Sequence, residues 1–258
     1  EEKLNGGLKH LVDEVNKLGL KFGIWFEPEM ISPDSKLYEA HPDWAIQIPG
    51  RAGSLCRNQY VLDLTRKEVR DYAYESVASI LRSANIEYVK WDMNRSVCDV
   101  YSHVAAQSRN GELYHRYVLG VYDLMEKFLA ACPNLLLEGC SGGGGRYDAG
   151  MMYYSPQIWC SDNTDPVDRC YIQWGFSQFF PAKAMCAHVT SWNKMASIKF
   201  RTDVASMCKL GFDIGLKELS ADELLFCQQA VANWKRLVPA IMDGEQYRLV
   251  SPYTSNHM

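Results

Sequence analysis

The sequence predicts an α/β fold built on a parallel sheet, and three observations predict it. Short β-branched and aromatic runs alternate along the chain with segments of helical period. Acids and a histidine stand at the C-terminal ends of several different runs: Glu27 and Glu29, Asp92, Glu138, Asp162, His188 and Asp213. The length of 258 residues, with 47% hydrophobic and 22% charged, suits one domain of about 250 residues with a sizeable core. No GxGxxG follows the first run, which counts against a doubly wound nucleotide-binding sheet. The expected class is therefore α/β, a (β/α)8 TIM barrel, of which about six of the eight βα units are visible.

The elements follow in order. Residues 7–18 carry Leu8, Leu11, Val12, Val15 and Leu18 at helical spacing and lead into a first strand at 21–26. The stretch 28–64 is too long for an ordinary βα loop and should form a lid or pocket wall. Residues 66–84 place Val69, Tyr72, Ala73, Val77, Ile80 and Leu81 on one helical face, and a strand at 88–92 comes next. A helix at 112–131 precedes strands at 135–139 and 157–161. Thr164-Asp165-Pro166 supplies a capping acid and then a proline for a first turn, so a helix should start there. Strands at 182–187 and 211–216 follow, and Ser220 should cap a last helix at 221–241.

Composition excludes several function classes. Lys plus Arg (27) against Asp plus Glu (31) gives −4 with no basic stripe, so neither nucleic acid nor a membrane surface is an expected partner. Nine scattered cysteines, an odd number without zinc spacing, read as reduced thiols of a cytoplasmic protein. The Glu1-Glu2-Lys3 start has neither an initiator Met nor a signal core. The chain is therefore expected to be an internal piece, with a domain at 1–253 and a linker beginning at 254–258.

Three constellations carry chemistry. In Lys90-Trp91-Asp92 the period of two sends Lys90 and Asp92 to one side and Trp91 toward the helices. An ammonium beside a carboxylate favours the ionised, nucleophilic form, although the pair also reads as a structural ion pair at a strand end. Asp162 sets a second carboxylate at another strand end, while Asp165, just before Pro166, reads as a helix cap. Two acids from two strands are the minimum equipment of a glycosidase. Between them, four glycines at 142–145 suggest close approach of backbone to a neutral ligand, since the Lys-Ser/Thr of a phosphate loop is missing. Trp25 and Trp91 are candidate walls of a sugar pocket. His188 reads as a structural histidine, Asp213, sitting inside its strand, should have a partner, and Glu27 and Glu29 could face a ligand or bond the barrel rim, the rim being preferred for both.

Five segments, in order, resemble the microbial α-galactosidases of glycoside hydrolase family 36: GIWFEPEM (23–30), CRNQYVLDL (56–64), KWDMNR (90–95), EGCSGGGGR (138–146) and SDNTD (161–165). The resemblance implies a (β/α)8 catalytic domain that removes terminal α-galactosyl groups with retention, with Asp92 as nucleophile and Asp162 as acid/base. It further implies that Trp25, Arg57, Lys90, Cys140 and Gly142 line the galactose pocket. Cys140 and Gly142 would lie near the 2-hydroxyl, which disfavours an acetamido group there. Retention by this scheme places the two carboxyls roughly 5–5.5 Å apart, or a little wider. No cofactor and no metal is implied, and full-length members are expected to be homo-oligomers acting on substrates such as melibiose and raffinose. The DDGWF-like motif of the family has no match in residues 1–20. Transfer of galactose to an acceptor sugar, or galactoside binding without turnover, are the alternative readings.

Overall fold

The computed structural model describes residues 3–192 and 195–254. The chain gathers into two compact units, Glu1–Gly142 with Ala149–Ser155, and Gly143–Asp148 with Pro156–Met258. Of the expected linker at 254–258, residues 255–258 lie outside the described residues.

The first unit opens with α1 (Gly7–Lys17), of which only Val12 is buried, and β1 (Phe22–Phe26). A short antiparallel pair, β2 (Met30–Ile31) with β3 (Tyr60–Val61), encloses α2 (Lys36–Ala40) and a 3-10 turn at Pro42–Trp44. These elements occupy the 28–64 insertion. Met30, Ile31, Trp44, Ile46, Val61, Leu62 and Leu64 are all buried. These buried apolar groups anchor the two ends of the insertion, while residues 49–52 and 54–58 between them are exposed.

Next come α3 (Lys67–Ser83), β4 (Ile86–Asp92), α4 (Leu113–Ala131), β5 (Leu136–Cys140) and the short α5 (Ala149–Tyr154). Strand β4 lies between β1 and β5, parallel to both. Helix α3 buries Val69, Ala73, Val77 and Leu81, as its spacing dictates, whereas Tyr72 on that face is exposed. Helix α4 buries Leu124, Met125 and Phe128 completely, at about 1.5–3 kcal/mol for each side chain.

The second unit repeats the alternation: β6 (Gln157–Trp159), α6 (Pro166–Phe176), β7 (Met185–Thr190), α7 (Ile198–Ala205), β8 (Lys209–Asp213) and α8 (Ala221–Asp243). Strand β7 pairs in parallel with β6 and with β8. Asp165 caps α6, its Oδ1 accepting from the backbone N–H groups of Val167 (2.9 Å) and Asp168 (3.3 Å), with Pro166 in the first turn. Ser220 and Glu223 close a reciprocal capping box on α8.

Strand β4 starts two residues earlier than the sequence reading and β6 ends two residues short of it, at Trp159, and two other strands are displaced. Residues Ala182–Ala184 form a 3-10 turn after Pro181, and β7 starts at Met185. Ala and Lys are poor strand formers, and Pro181 favours a turn start. Strand β8 ends at Asp213, because Gly215 opens a second 3-10 turn at Leu216–Glu218. Asp213 is exposed there, so it carries no burial cost and needs no partner.

Candidate active site

In the first unit the site is built on the C-terminal end of β4. Its register sets Trp25 beside Lys90, Lys90 beside Glu138, and Asp92 beside Cys140. Asp92 is nearly buried, and three N–H groups hold its carboxylate. Trp25 Nε1 (3.1 Å) and Asn94 Nδ2 (2.8 Å) donate to Oδ2, and the Met93 backbone N–H (2.9 Å) donates to Oδ1. Donors on both oxygens satisfy an anion and fix its rotamer, as a nucleophile requires.

Asn94 is the hub of this group. It also donates to Glu27 Oε1, and its Oδ1 accepts the Gly142 backbone N–H at 3.2 Å. Glu27 in turn faces the Arg57 guanidinium at 3.7 Å. Glu27 therefore joins the polar group around Asp92 through Asn94.

Arg57 and Asn58 both adopt left-handed backbone, φ 53° and 58°, between Cys56 and Gln59, which exchange backbone hydrogen bonds at 3.3 and 3.0 Å. This is a two-residue turn of the kind that usually takes glycine or asparagine, and an arginine in it is strained by about 1 kcal/mol or more. Arg95 secures the turn by donating to the carbonyls of Ser54 (2.7 Å) and Gln59 (2.5 Å).

Lys90 pairs with Glu138 at 3.7 Å, and Glu138 is 1% exposed. A buried carboxylate needs a compensating cation, and Lys90, itself partly exposed, supplies one to Glu138. Trp91 points the other way, as period two demands. It is 1% exposed, packs edge-on against Phe128 at 5.7 Å, and donates to Glu29 Oε1 at 2.7 Å. Trp91 is therefore core and not a pocket wall. Glu29, 0% exposed, also accepts from the Tyr117 hydroxyl at 2.6 Å, so it too lies in the core and not at the rim. Trp25, by contrast, is 47% exposed and stands beside Asp92.

In the second unit Asp162 follows β6 and is exposed. Its Oδ1 accepts from Trp159 Nε1 at 3.0 Å. The Trp159 ring has the Arg169 guanidinium 4.7 Å from its centre and the tilted His188 ring at 4.6 Å, which gives His188 a packing role. Arg169 is buried, and burial pulls its pKa below the ordinary guanidinium value. It donates to the carbonyls of Asn163 (2.6 Å), Ser161 (2.5 Å) and Cys186 (3.2 Å). The residues on both sides of Asp162 are thereby clamped.

The glycine run divides its work. Gly142 has φ +54° and open space where a Cβ would stand, consistent with room for a ligand. Gly143 (φ +89°) and Gly144 instead press against the protein's own backbone, with positions for a Cβ 2.7 Å from Ser161 Cα and 2.6 Å from the Cys160 carbonyl oxygen. Close approach to a ligand therefore does not explain those two.

Sequence reasoning missed Asn94 and Trp159 as members of these groups, and it noted Glu27 as a strand-end acid but preferred the rim for it. Asn94 alone carried a usable signal, two residues beyond Asp92 in the same motif. Among the described residues no group of three or more His, Cys, Asp or Glu is placed to hold a metal ion. Among them, too, no helix is long and apolar enough to cross a membrane.

A family model described as Melibiase matches residues 1–244. Alpha-galactosidase 1 of Pediococcus pentosaceus is 50% identical over 259 residues, covering 98% of this chain and 35% of that protein. The crystal structure of the GH36 α-galactosidase AgaB from Geobacillus stearothermophilus matches with a TM-score of 0.96 at 45% identity, over 99% of this chain and 36% of that one. A variant of AgaA from the same organism, solved in complex with raffinose, matches with a TM-score of 0.94 at 45% identity, over 97% and 36%. The likeness bears out the expected fold class, a partial (β/α)8 barrel. The chain spans about a third of the length of these relatives.

Proposed function

From the premise that the chain belongs to the Melibiase family, we propose that it is the catalytic part of a retaining α-galactosidase. Residues 1–253 form the catalytic domain in this reading, and 254–258 begin a linker. The substrates are terminal α-D-galactosyl groups of galacto-oligosaccharides such as melibiose and raffinose. The raffinose complex of the AgaA variant supports that substrate class. Nine cysteines, none of them in a disulfide among the described residues, support a cytoplasmic setting.

One observation carries the reading: the Asp92 carboxylate is held by three N–H donors at the end of β4. In the first step an Asp92 oxygen forms a bond to the anomeric carbon as the glycosidic C–O bond breaks, and Asp162 gives its proton to the departing oxygen. In the second, water attacks the anomeric carbon of the galactosyl ester and loses a proton to Asp162, and the Asp92 carboxylate is released. Trp25, Arg57, Lys90, Cys140 and Gly142 bind the galactose. Trp25 offers an apolar face, and Lys90 and Arg57 donate to hydroxyls.

The test is the anomer first formed from 4-nitrophenyl α-galactoside, followed by proton NMR in the protein carrying this chain, together with the Asp92→Asn variant. The expected results are α-galactose first, and turnover lost in the variant with galactose binding retained. β-Galactose as first product, or near-normal turnover in Asp92→Asn, contradicts the reading.

A further inference from the structure

We propose that Trp159 is a positioning residue for the proton donor, its indole N–H fixing which oxygen of Asp162 carries the transferred proton. The inference rests on the assignment of Asp162 as acid/base.

Among the described residues Trp159 is the one side chain that donates a hydrogen bond to the Asp162 carboxyl. An indole N–H donates and never accepts, so Oδ1 is permanently engaged as an acceptor. A protonated Asp162 must then carry its hydrogen on Oδ2. An exposed aspartate would otherwise sample several rotamers and present either oxygen.

Trp159 is well suited to impose this order. It is buried, with Arg169 over its face at 4.7 Å and His188 against it at 4.6 Å, so its N–H has a fixed direction. A cation over the ring draws electron density from the indole and makes its N–H a stronger donor. The same guanidinium bonds the carbonyls of Ser161 and Asn163, so the backbone on either side of Asp162 is immobile relative to Trp159. A buried tryptophan with a merely structural role would spend its N–H on a nearby carbonyl. This one spends it on an exposed carboxylate.

The test is the leaving-group dependence of kcat/KM, which covers the steps through cleavage of the glycosidic bond and excludes hydrolysis of the ester, for Trp159→Phe in the protein carrying this chain. Phenylalanine keeps an aromatic ring beside Arg169 and His188 while removing the N–H together with the pyrrole ring, and the cavity this leaves should affect both substrates alike. Departure of a sugar alkoxide needs the proton, and departure of 2,4-dinitrophenolate does not. The variant should therefore lose roughly 10–100-fold on raffinose. Its loss on 2,4-dinitrophenyl α-galactoside should be at least about tenfold smaller. Equal losses on the two substrates, or no loss on either, overturn the proposal.

Asp162→Asn run in parallel separates the two claims. If it lacks the same leaving-group discrimination, the acid/base assignment fails. If it discriminates and Trp159→Phe does not, only the positioning role fails. Should Trp159→Phe not fold, indole N–H resonances of the unmodified protein decide the matter. One of them should titrate with pH and cease to do so in Asp162→Asn, and the absence of any such resonance overturns the proposal.

Discussion

Gly143→Ala is the most incisive perturbation of this site, because its neighbours are backbone and cannot turn away. The new Cβ would stand 2.7 Å from Ser161 Cα, 3.0 Å from the Asp162 nitrogen and 3.2 Å from the Ser161 carbonyl carbon. Ordinary contact begins near 3.4 Å, so Ser161 must retreat by 3.4 − 2.7 = 0.7 Å. The φ of +89° adds about 1–2 kcal/mol for a residue with a Cβ. Over-packing adds about 1–3 kcal/mol. Gly142→Ala is the internal control, since at φ +54° its Cβ meets nothing within 4 Å and only the backbone cost applies. Denaturant unfolding followed by tryptophan fluorescence should find Gly143→Ala less stable than Gly142→Ala by about 1–3 kcal/mol. Displacing the backbone beside Asp162 by most of an ångström should also lower kcat/KM by roughly 10–100-fold. A Gly143→Ala protein as stable as Gly142→Ala would refute the reasoning.

Two further perturbations test the frame behind the site. Tyr117→Phe removes the 2.6 Å hydrogen bond to the fully buried Glu29 and should destabilise by about 1.5–3 kcal/mol in the same unfolding assay; a change below about 0.5 kcal/mol would contradict the role given to Glu29. The Arg66 hydrogen bond holds the Asp43 carboxyl below the ordinary aspartate range. A depressed folded pKa stabilises above the unfolded value and is lost as pH falls through the folded one. The Tm difference between the parent and Asp43→Asn should thus be full at pH 7 and shrink below about pH 4. A difference constant down to about pH 2.5 would contradict this.

Much of the frame was legible because its signals are local. The strand that ends in Asp92 and the cap at Asp165 with Pro166 are written in adjacent residues, and the structure places both as expected. What was not legible depends on long-range partners. Glu29 reads as a rim acid, since its partners Trp91 and Tyr117 stand 62 and 88 residues away. Gly143 and Gly144 read as ligand-facing, because nothing in their own neighbourhood reveals that the strand before Asp162 lies against them. The left-handed Arg57-Asn58 turn lacks the glycine that usually marks one. Trp159 looks like any strand hydrophobe until its N–H is seen on Asp162.

The central claim is a covalent galactosyl ester on Asp92. Incubation of the protein carrying this chain with a fluorinated α-galactosyl fluoride, whose glycosyl-enzyme turns over slowly, followed by intact-mass and peptide mass spectrometry, tests it directly. The predicted result is one added fluorogalactosyl group, located on Asp92. A label on any other carboxylate, or no covalent adduct together with release of β-galactose, would contradict the account.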